Sequence, residues 1–396
     1  MSKDDPKPLK VFMMGGRRCG KTSVLASMFD RMTNGIANKY FTVADATVHE
    51  MKDGEIQDSL DGKINELKDF LGKPNNKTFI VDANPTNKYW DYFLKLQIPG
   101  SNRNMKMQFR DSSGEFFVAG TQLSVKTESY VKECDVFIVA IDTPYLMGAT
   151  EDGLMDICTE GKNLGVNRVQ DIQRFLTNIR DNGGKDAKMV IFVPIKCEKW
   201  VNEGRVEDVN ARIKEVYGTM IQNLSAYKKM SIAIIPILTA GNIIFEEFKE
   251  PLTIKLPKYK EPIKCCPLGK ETFRLADGKI YRKGEADLLL DDPKAVIEGT
   301  NLLRPYAWYR INKADSSFSP QNCEQLPLHI LRFMLSKVKE AEQKQDSGFF
   351  SWLFNKLLSV FGGLDIEEIE GILKRMADDG VIKDDKDGIE YIKRCY

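Results

Sequence analysis

Short apolar runs alternate with stretches of helical period from residue 9 to residue 243, the pattern of a mostly parallel sheet covered on both faces. Leu9–Met14 reads as a buried strand, and Thr22–Met32 follows it with helical spacing. Tyr89–Ile98 alternates and ends in Pro99-Gly100-Ser101-Asn102, a turn signal. Asn104–Arg110 resumes as a strand, so the two predict an antiparallel hairpin. Asp135–Ile141 and Lys188–Pro194 are continuous apolar runs, as expected of central strands buried on both faces. Ile232–Ile237 is a sixth strand, and helices are predicted over Val169–Asp181 and Val206–Tyr227.

From about Phe245 to Ser319 the rhythm breaks into Pro-, Lys- and Gly-rich sequence with short β-like pieces, Glu271–Arg274 and Lys279–Arg282. This reads as an insertion packed on the core, with Gln325–Gln345 returning as the last core helix. The expected fold is α/β: a doubly wound, mostly parallel sheet with an inserted segment and a small C-terminal α+β appendage. The expected units are a core over 9–243, the insertion over 244–323, the last core helix over 324–345, and an apolar segment with a C-terminal module over 346–396. In that module Ile366–Asp378 reads as a helix, followed by a hairpin around Asp385–Gly388.

Phe349–Phe361 is apolar at nearly every position but far short of the roughly 20 residues a membrane span needs. Its weakly basic character disfavours an interfacial helix and favours burial against the core or a partner. With 58 Lys and Arg against 57 Asp and Glu, global charge gives no reason to expect a nucleic-acid partner. Eight cysteines without a CxxC pair, alongside two histidines, argue against zinc and for reduced thiols in a cytoplasmic setting.

The chemistry enters at Gly15-Gly16-Arg17-Arg18-Cys19-Gly20-Lys21-Thr22, which fits G-x-x-x-x-G-K-[ST] between a predicted strand and a predicted helix. Glycines there let backbone N–H groups turn toward phosphate oxygens, and the helix N-terminus adds partial positive charge. The candidate phosphate-binding residues are Gly15, Arg18, Cys19, Gly20, Lys21, Thr22 and Ser23. Lys21 would bridge the β- and γ-phosphates and the Thr22 hydroxyl would ligate Mg²⁺. Arg17 and Arg18 are open to two readings: one reaches the phosphates as an arginine finger, or both face solvent or acidic neighbours.

Asp111-Ser112-Ser113-Gly114-Glu115 at the end of the hairpin resembles the D-x-x-G element of the Ras-like (TRAFAC-class) P-loop GTPases. The resemblance implies that Asp111 serves Mg²⁺ and that Gly114 senses the γ-phosphate. It also implies a first-switch threonine before the hairpin, with Thr86 as the candidate and Thr78 as the alternative. Ile195-Lys196-Cys197-Glu198 lies where the family carries [N/T]-K-x-D, so Lys196 and Glu198 are the base-binding candidates. Ile195 departs from the motif and loses a side-chain bond to the phosphate loop. Thr239-Ala240-Gly241 resembles the family's S-A-K loop. Val193–Trp200, Ile141–Leu146 and Phe318–Gln325 are similar to the bacterial double-GTPase group, which implies a regulatory GTPase acting with a protein partner or a second copy of itself. Glu115 stands where efficient hydrolases of the family place a glutamine, which implies slow turnover of GTP to GDP, with Lys21, Glu115 and Arg17 as catalytic candidates. An ATPase on the same scaffold and a non-hydrolysing binding module remain the alternatives.

Overall fold

The computed structural model describes residues 7–16, 19–47, 59–71, 89–101, 103–112, 130–151, 158–182, 187–249, 306–312, 317–343, 360–362 and 364–395, together with short strands at 252–254, 263–267, 272–275, 280–282 and 289–290. In chain order the first half reads β1 (Leu9–Gly15), α1 (Lys21–Asn34), β2 (Thr42–Asp45), α2 (Leu60–Leu71), β3 (Trp90–Gln97), β4 (Asn104–Asp111), β5 (Val136–Asp142), α3 (Thr143–Gly148), α4 (Glu160–Val166) and α5 (Val169–Asn182). It continues with β6 (Lys188–Ile195), α6 (Glu198–Asn202), α7 (Val206–Val216), α8 (Gly218–Ser225), β7 (Met230–Ile234) and β8 (Ile243–Lys249). Five short strands follow: β9 (Leu252–Ile254), β10 (Ile263–Pro267), β11 (Thr272–Leu275), β12 (Ile280–Arg282) and β13 (Leu289–Leu290). The chain then returns through β14 (Tyr306–Ile311), α9 (Gln325–Gln343), α10 (Ile366–Asp378) and β15 (Glu390–Lys393).

The main sheet has eight strands in the order β15-β7-β6-β5-β1-β4-β3-β2. β7, β6, β5, β1 and β4 run parallel to one another, while β3, β2 and β15 add antiparallel pairings at the two sides. Side chains that alternate along β1 explain the two covering layers. Val11 and Met13 join one core with Leu25 and Met28 of α1 and Leu326, Ile330 and Phe333 of α9. Phe12 and Met14 join the other with Ile172 and Leu176 of α5 and Ile213 of α7. That is a doubly wound α/β fold. Both flanks of β1 are occupied, by β4 on one side and β5 on the other, so the strand order reverses at β1 and leaves a crevice above its C-terminal end, the usual place for a ligand in such sheets.

Two elements differ from the sequence pattern. The helix expected over Val206–Tyr227 is two helices, α7 and α8, which part at the buried Tyr217 packed 5.3 Å from the ring of Phe192. The strand expected to reach Ile237 stops at Ile234, because Pro236 has no N–H to give the ladder. Ile237 and Leu238 then make single bridges, to Ile195 and Gln321.

β8 and β14 pair antiparallel as the stem of the inserted segment, and β9 to β13 form a separate antiparallel sheet. The C-terminal appendage packs α10 on the first core layer, through Ile369, Leu373 and Met376, and adds β15 to the edge of the main sheet beside β7. His329 of α9 is fully buried there; its two ring nitrogens meet the Tyr391 hydroxyl at 2.6 Å and the Lys383 carbonyl at 3.1 Å. Val360 and Phe361, the end of the apolar stretch, are buried in the first core layer, while 349–359 lie outside the described residues. Among the described residues no helix is long and apolar enough to cross a membrane.

Candidate functional site

The crevice at the top of β1 is built around its glycines. Gly20 takes a left-handed conformation, φ 108°, immediately before α1 begins at Lys21. Gly16 allows a close approach, since a Cβ there would sit 1.9 Å from the carbonyl oxygen of Val166 at the end of α4. Lys21 is buried and its Nζ donates to the Gly16 carbonyl at 3.0 Å, folded back over the loop. The Cys19 thiol lies 3.9 Å from the same ammonium, and burial pushes it above its ordinary value against the pull of Lys21 and Lys196.

Thr22 Oγ1 donates to Asp111 Oδ2 at 2.6 Å. β4 carries Asp111 to this point because it pairs with β1 in a register that sets Asp111 opposite Met13, and Ser112 Oγ locks the turn by donating to the Met13 carbonyl at 2.7 Å. Asp111 is only 3% exposed; burial raises its carboxyl, opposed by Lys21 and by the Thr22 hydrogen bond. No cluster of three or more His, Cys, Asp or Glu able to hold a metal exists among the described residues. Mg²⁺ in nucleotide sites needs no such cage, being held by one or two protein oxygens together with phosphate oxygens and water. A hydroxyl and a carboxylate in contact at a helix N-terminus suit that role.

A second group of side chains gathers on the neighbouring strand ends. Asp142 closes β5 and is level with Ile195 of β6, which in turn bridges Ile237. Lys196 follows with φ 57°, a left-handed backbone uncommon outside glycine and frequent at functional sites. Its Nζ donates to Asp142 Oδ2 at 2.6 Å. Burial pushes the Lys196 ammonium down, but the Asp142 carboxylate beside it overrides this and leaves it above its usual value. Asn167 holds Asp142 in place, accepting from the Asp142 N–H at 2.7 Å and donating to its carbonyl at 3.3 Å.

Glu198 opens α6 and is 2% exposed. Burial pushes its carboxyl up to about 7, although its own amide, Lys196 and the amides of Ala240 and Gly241 all pull the other way. Thr239-Ala240-Gly241 is therefore wrapped against Glu198, and it is tied to α1 by Ser27, whose Oγ donates to the Thr239 carbonyl at 2.5 Å. Ile195 Cδ1 lies 3.4 Å from where a Cβ on Gly20 would stand, an apolar contact with the phosphate loop.

The structure thus places Gly15, Cys19, Gly20, Lys21, Thr22 and Asp111 around one crevice. Lys196 and Glu198 stand beside it, against the loop of Thr239 and Ala240, and Ser23 lies in the first turn of α1. Arg17, Arg18, Thr78, Thr86, Gly114 and Glu115 lie outside the described residues. Asp142, Asn167 and Ser27 had no role assigned from the sequence. Asp142 carried a signal, an acidic residue ending a continuous apolar strand, whereas Asn167 and Ser27 are defined only by packing.

A P-loop at the switch point of a doubly wound sheet, with a Thr–Asp pair above it and a Lys-x-Glu loop two strands away, defines a P-loop protein of the G-domain class. A sequence model described as Double-GTPase 2 matches residues 11–237, more than half of the chain, and the chain belongs to that family. No curated protein matches it. Among solved structures it is similar to the GTPase-like domain of Ski7 from S. cerevisiae bound to GDP and inorganic phosphate, at 13% identity and a TM-score of 0.31, over 60% of this chain and 44% of that one. The chain therefore spans less than half the length of that structure. A GTP-bound form of the same domain matches at 11% identity and a TM-score of 0.32, over 79% of this chain and 72% of that one.

Proposed function

We propose that this chain binds guanine nucleotide with Mg²⁺ and hydrolyses GTP slowly, as a nucleotide-controlled switch that acts with a protein partner or a second copy of itself in a bacterial cytoplasm. The observation that carries the reading is the 2.6 Å contact between Thr22 and Asp111, two residues 89 positions apart that meet at the helix opening on the phosphate loop.

Lys21 leaves the Gly16 carbonyl to bind the β- and γ-phosphates, and the loop amides and the N-terminus of α1 surround the remaining oxygens. Thr22 and Asp111, with Thr86 from the first switch, would hold Mg²⁺, which would supply charge neutralisation at the phosphate oxygens. Gly114 reads the γ-phosphate, Lys196 lies along the base and Glu198 accepts its N–H groups. Glu115 replaces the amide that would orient water, and a carboxylate near the γ-phosphate adds like charge, so turnover without a partner is slow. Arg17 is the group that would offset it. The family is the basis for naming GTP; the units over 9–243, 244–323, 324–345 and 346–396 are proposed as the parts of the switch.

Single-turnover hydrolysis by the purified chain tests the enzymatic half. Slow release of phosphate from GTP, accelerated in the Glu115→Gln variant, is expected. Turnover at the rate of a fully activated GTPase with no partner present contradicts the slow-switch reading, and no release over many hours would make the chain a binding module.

A further inference from the structure

The stem of the insertion stands against the base end of the site. β8 starts two residues after Gly241, and β14 returns alongside it antiparallel. Their register slips between Trp308 and Tyr309: Trp308 faces Glu247 but Tyr309 faces Phe245, so β8 carries Glu246 as an extra residue. Bulges of this kind re-aim side chains and recur beside functional sites. On the strand facing this bulge stands Tyr309, 2% exposed, with its ring centre 5.9 Å from Lys196 Nζ. Burial, with the Asp142 and Glu198 carboxylates nearby, pushes its phenol well above the ordinary value, which places the ring beside both.

An aromatic row backs this ring. Phe245 meets Tyr309 nearly edge-on at 6.0 Å, and Trp200 lies parallel to Phe245 at 5.8 Å, two residues beyond Glu198. Two oxygens at this end, Asp142 Oδ1 and Glu198 Oε2, are buried with no hydrogen-bond partner among the described residues. Buried acceptors left unmatched are costly, and a ligand with N–H groups on a flat ring relieves them. The guanine edge offers such donors, and its face suits an aromatic wall.

Resting on the nucleotide reading above, we infer that Tyr309 is a base-contacting, specificity-determining residue and that the β8–β14 stem forms one wall of the nucleobase pocket. The insertion then responds to the base as well as the core does. Entry of the base moves the Tyr309 ring off Lys196 and supplies N–H groups to the buried carboxylates.

The test is titration of GDP and of pyrophosphate, each with Mg²⁺, into the full chain and its Tyr309→Leu and Tyr309→Phe variants, with thermal melts as the folding control. Tyr309→Leu is expected to weaken GDP about tenfold and leave pyrophosphate unchanged, while Tyr309→Phe, which keeps the ring, stays near the parent. Unchanged GDP affinity in Tyr309→Leu, or equal loss of GDP and pyrophosphate, overturns the inference. Failure of the parent chain to bind GDP overturns the nucleotide reading itself, and the inference with it. Should Tyr309→Leu not fold, hydrogen exchange on the parent decides: protection of 243–249 and 306–311 by GDP but not by pyrophosphate supports the wall, and equal protection by both removes it.

Discussion

The proposed phosphate end and the proposed base end of this site are built on different principles. At the proposed phosphate end the candidates are local, because Gly15 to Thr22 is contiguous in sequence and lies between a strand, Leu9–Gly15, and a helix that starts at Lys21 after the left-handed Gly20. One distant residue, Asp111, completes it. At the base end nothing is local: Lys196 is held by Asp142 from 54 positions away, Asp142 by Asn167, and the Thr239 loop by Ser27.

The widest separation is expected from Asp142→Ala. Removing the carboxylate strands the Lys196 ammonium, whose side chain is 15% exposed, and should lower stability by up to about 3 kcal/mol, read by chemical denaturation. A cost near zero would mean that Lys196 reaches solvent or another partner. Lys21→Ala comes next and acts at the opposite end. It should weaken GTP and tripolyphosphate alike, by about 10- to 100-fold, since charge-assisted hydrogen bonds contribute about 1.5–3 kcal/mol. A loss confined to GTP would mean that the two ends are not separable.

Titration sharpens the contrast. Glu198 titrates at about 7 in the folded chain, above the usual glutamate value. The folded state therefore holds a proton that the unfolded state has already released. This contribution to stability is fully present below the ordinary glutamate value and is lost as pH rises through about 7. Guanine needs the ionised carboxylate, so GTP affinity relative to tripolyphosphate should rise by up to about tenfold per pH unit below that point and level off above it. A flat ratio would remove Glu198 from base recognition. The smallest effect belongs to Ser27→Ala, which cuts the tie between α1 and the Thr239 loop and should cost about 0.5–1.5 kcal/mol, measured by thermal or denaturant melts.

The same contrast explains what could be read before the structure. Central strands such as Lys188–Ile195, buried on both faces, are visible as apolar runs, and the phosphate loop is visible because its chemistry follows from contiguous residue types. Asp111 and Lys196 were singled out by the likeness of their segments to the family's motifs, each at the end of a strand. Tyr309 was not, because its place beside Lys196 depends on the pairing of a stem whose strands are 57 positions apart at their near ends. The break between α7 and α8 was hidden for a similar reason: Tyr217 leaves the helical path to pack on Phe192, a tertiary contact that local periodicity does not carry. Likewise β15 joins the main sheet beside β7 although little in its own four residues marks them as a strand of that sheet.

The most direct test of a guanine-nucleotide site is equilibrium titration of the full chain with fluorescent GTP and ATP analogues, with Mg²⁺ and with EDTA. GTP binding that depends on Mg²⁺ and is at least about tenfold tighter than ATP binding is expected. ATP binding equal to or stronger than GTP binding, or binding indifferent to Mg²⁺, would contradict it.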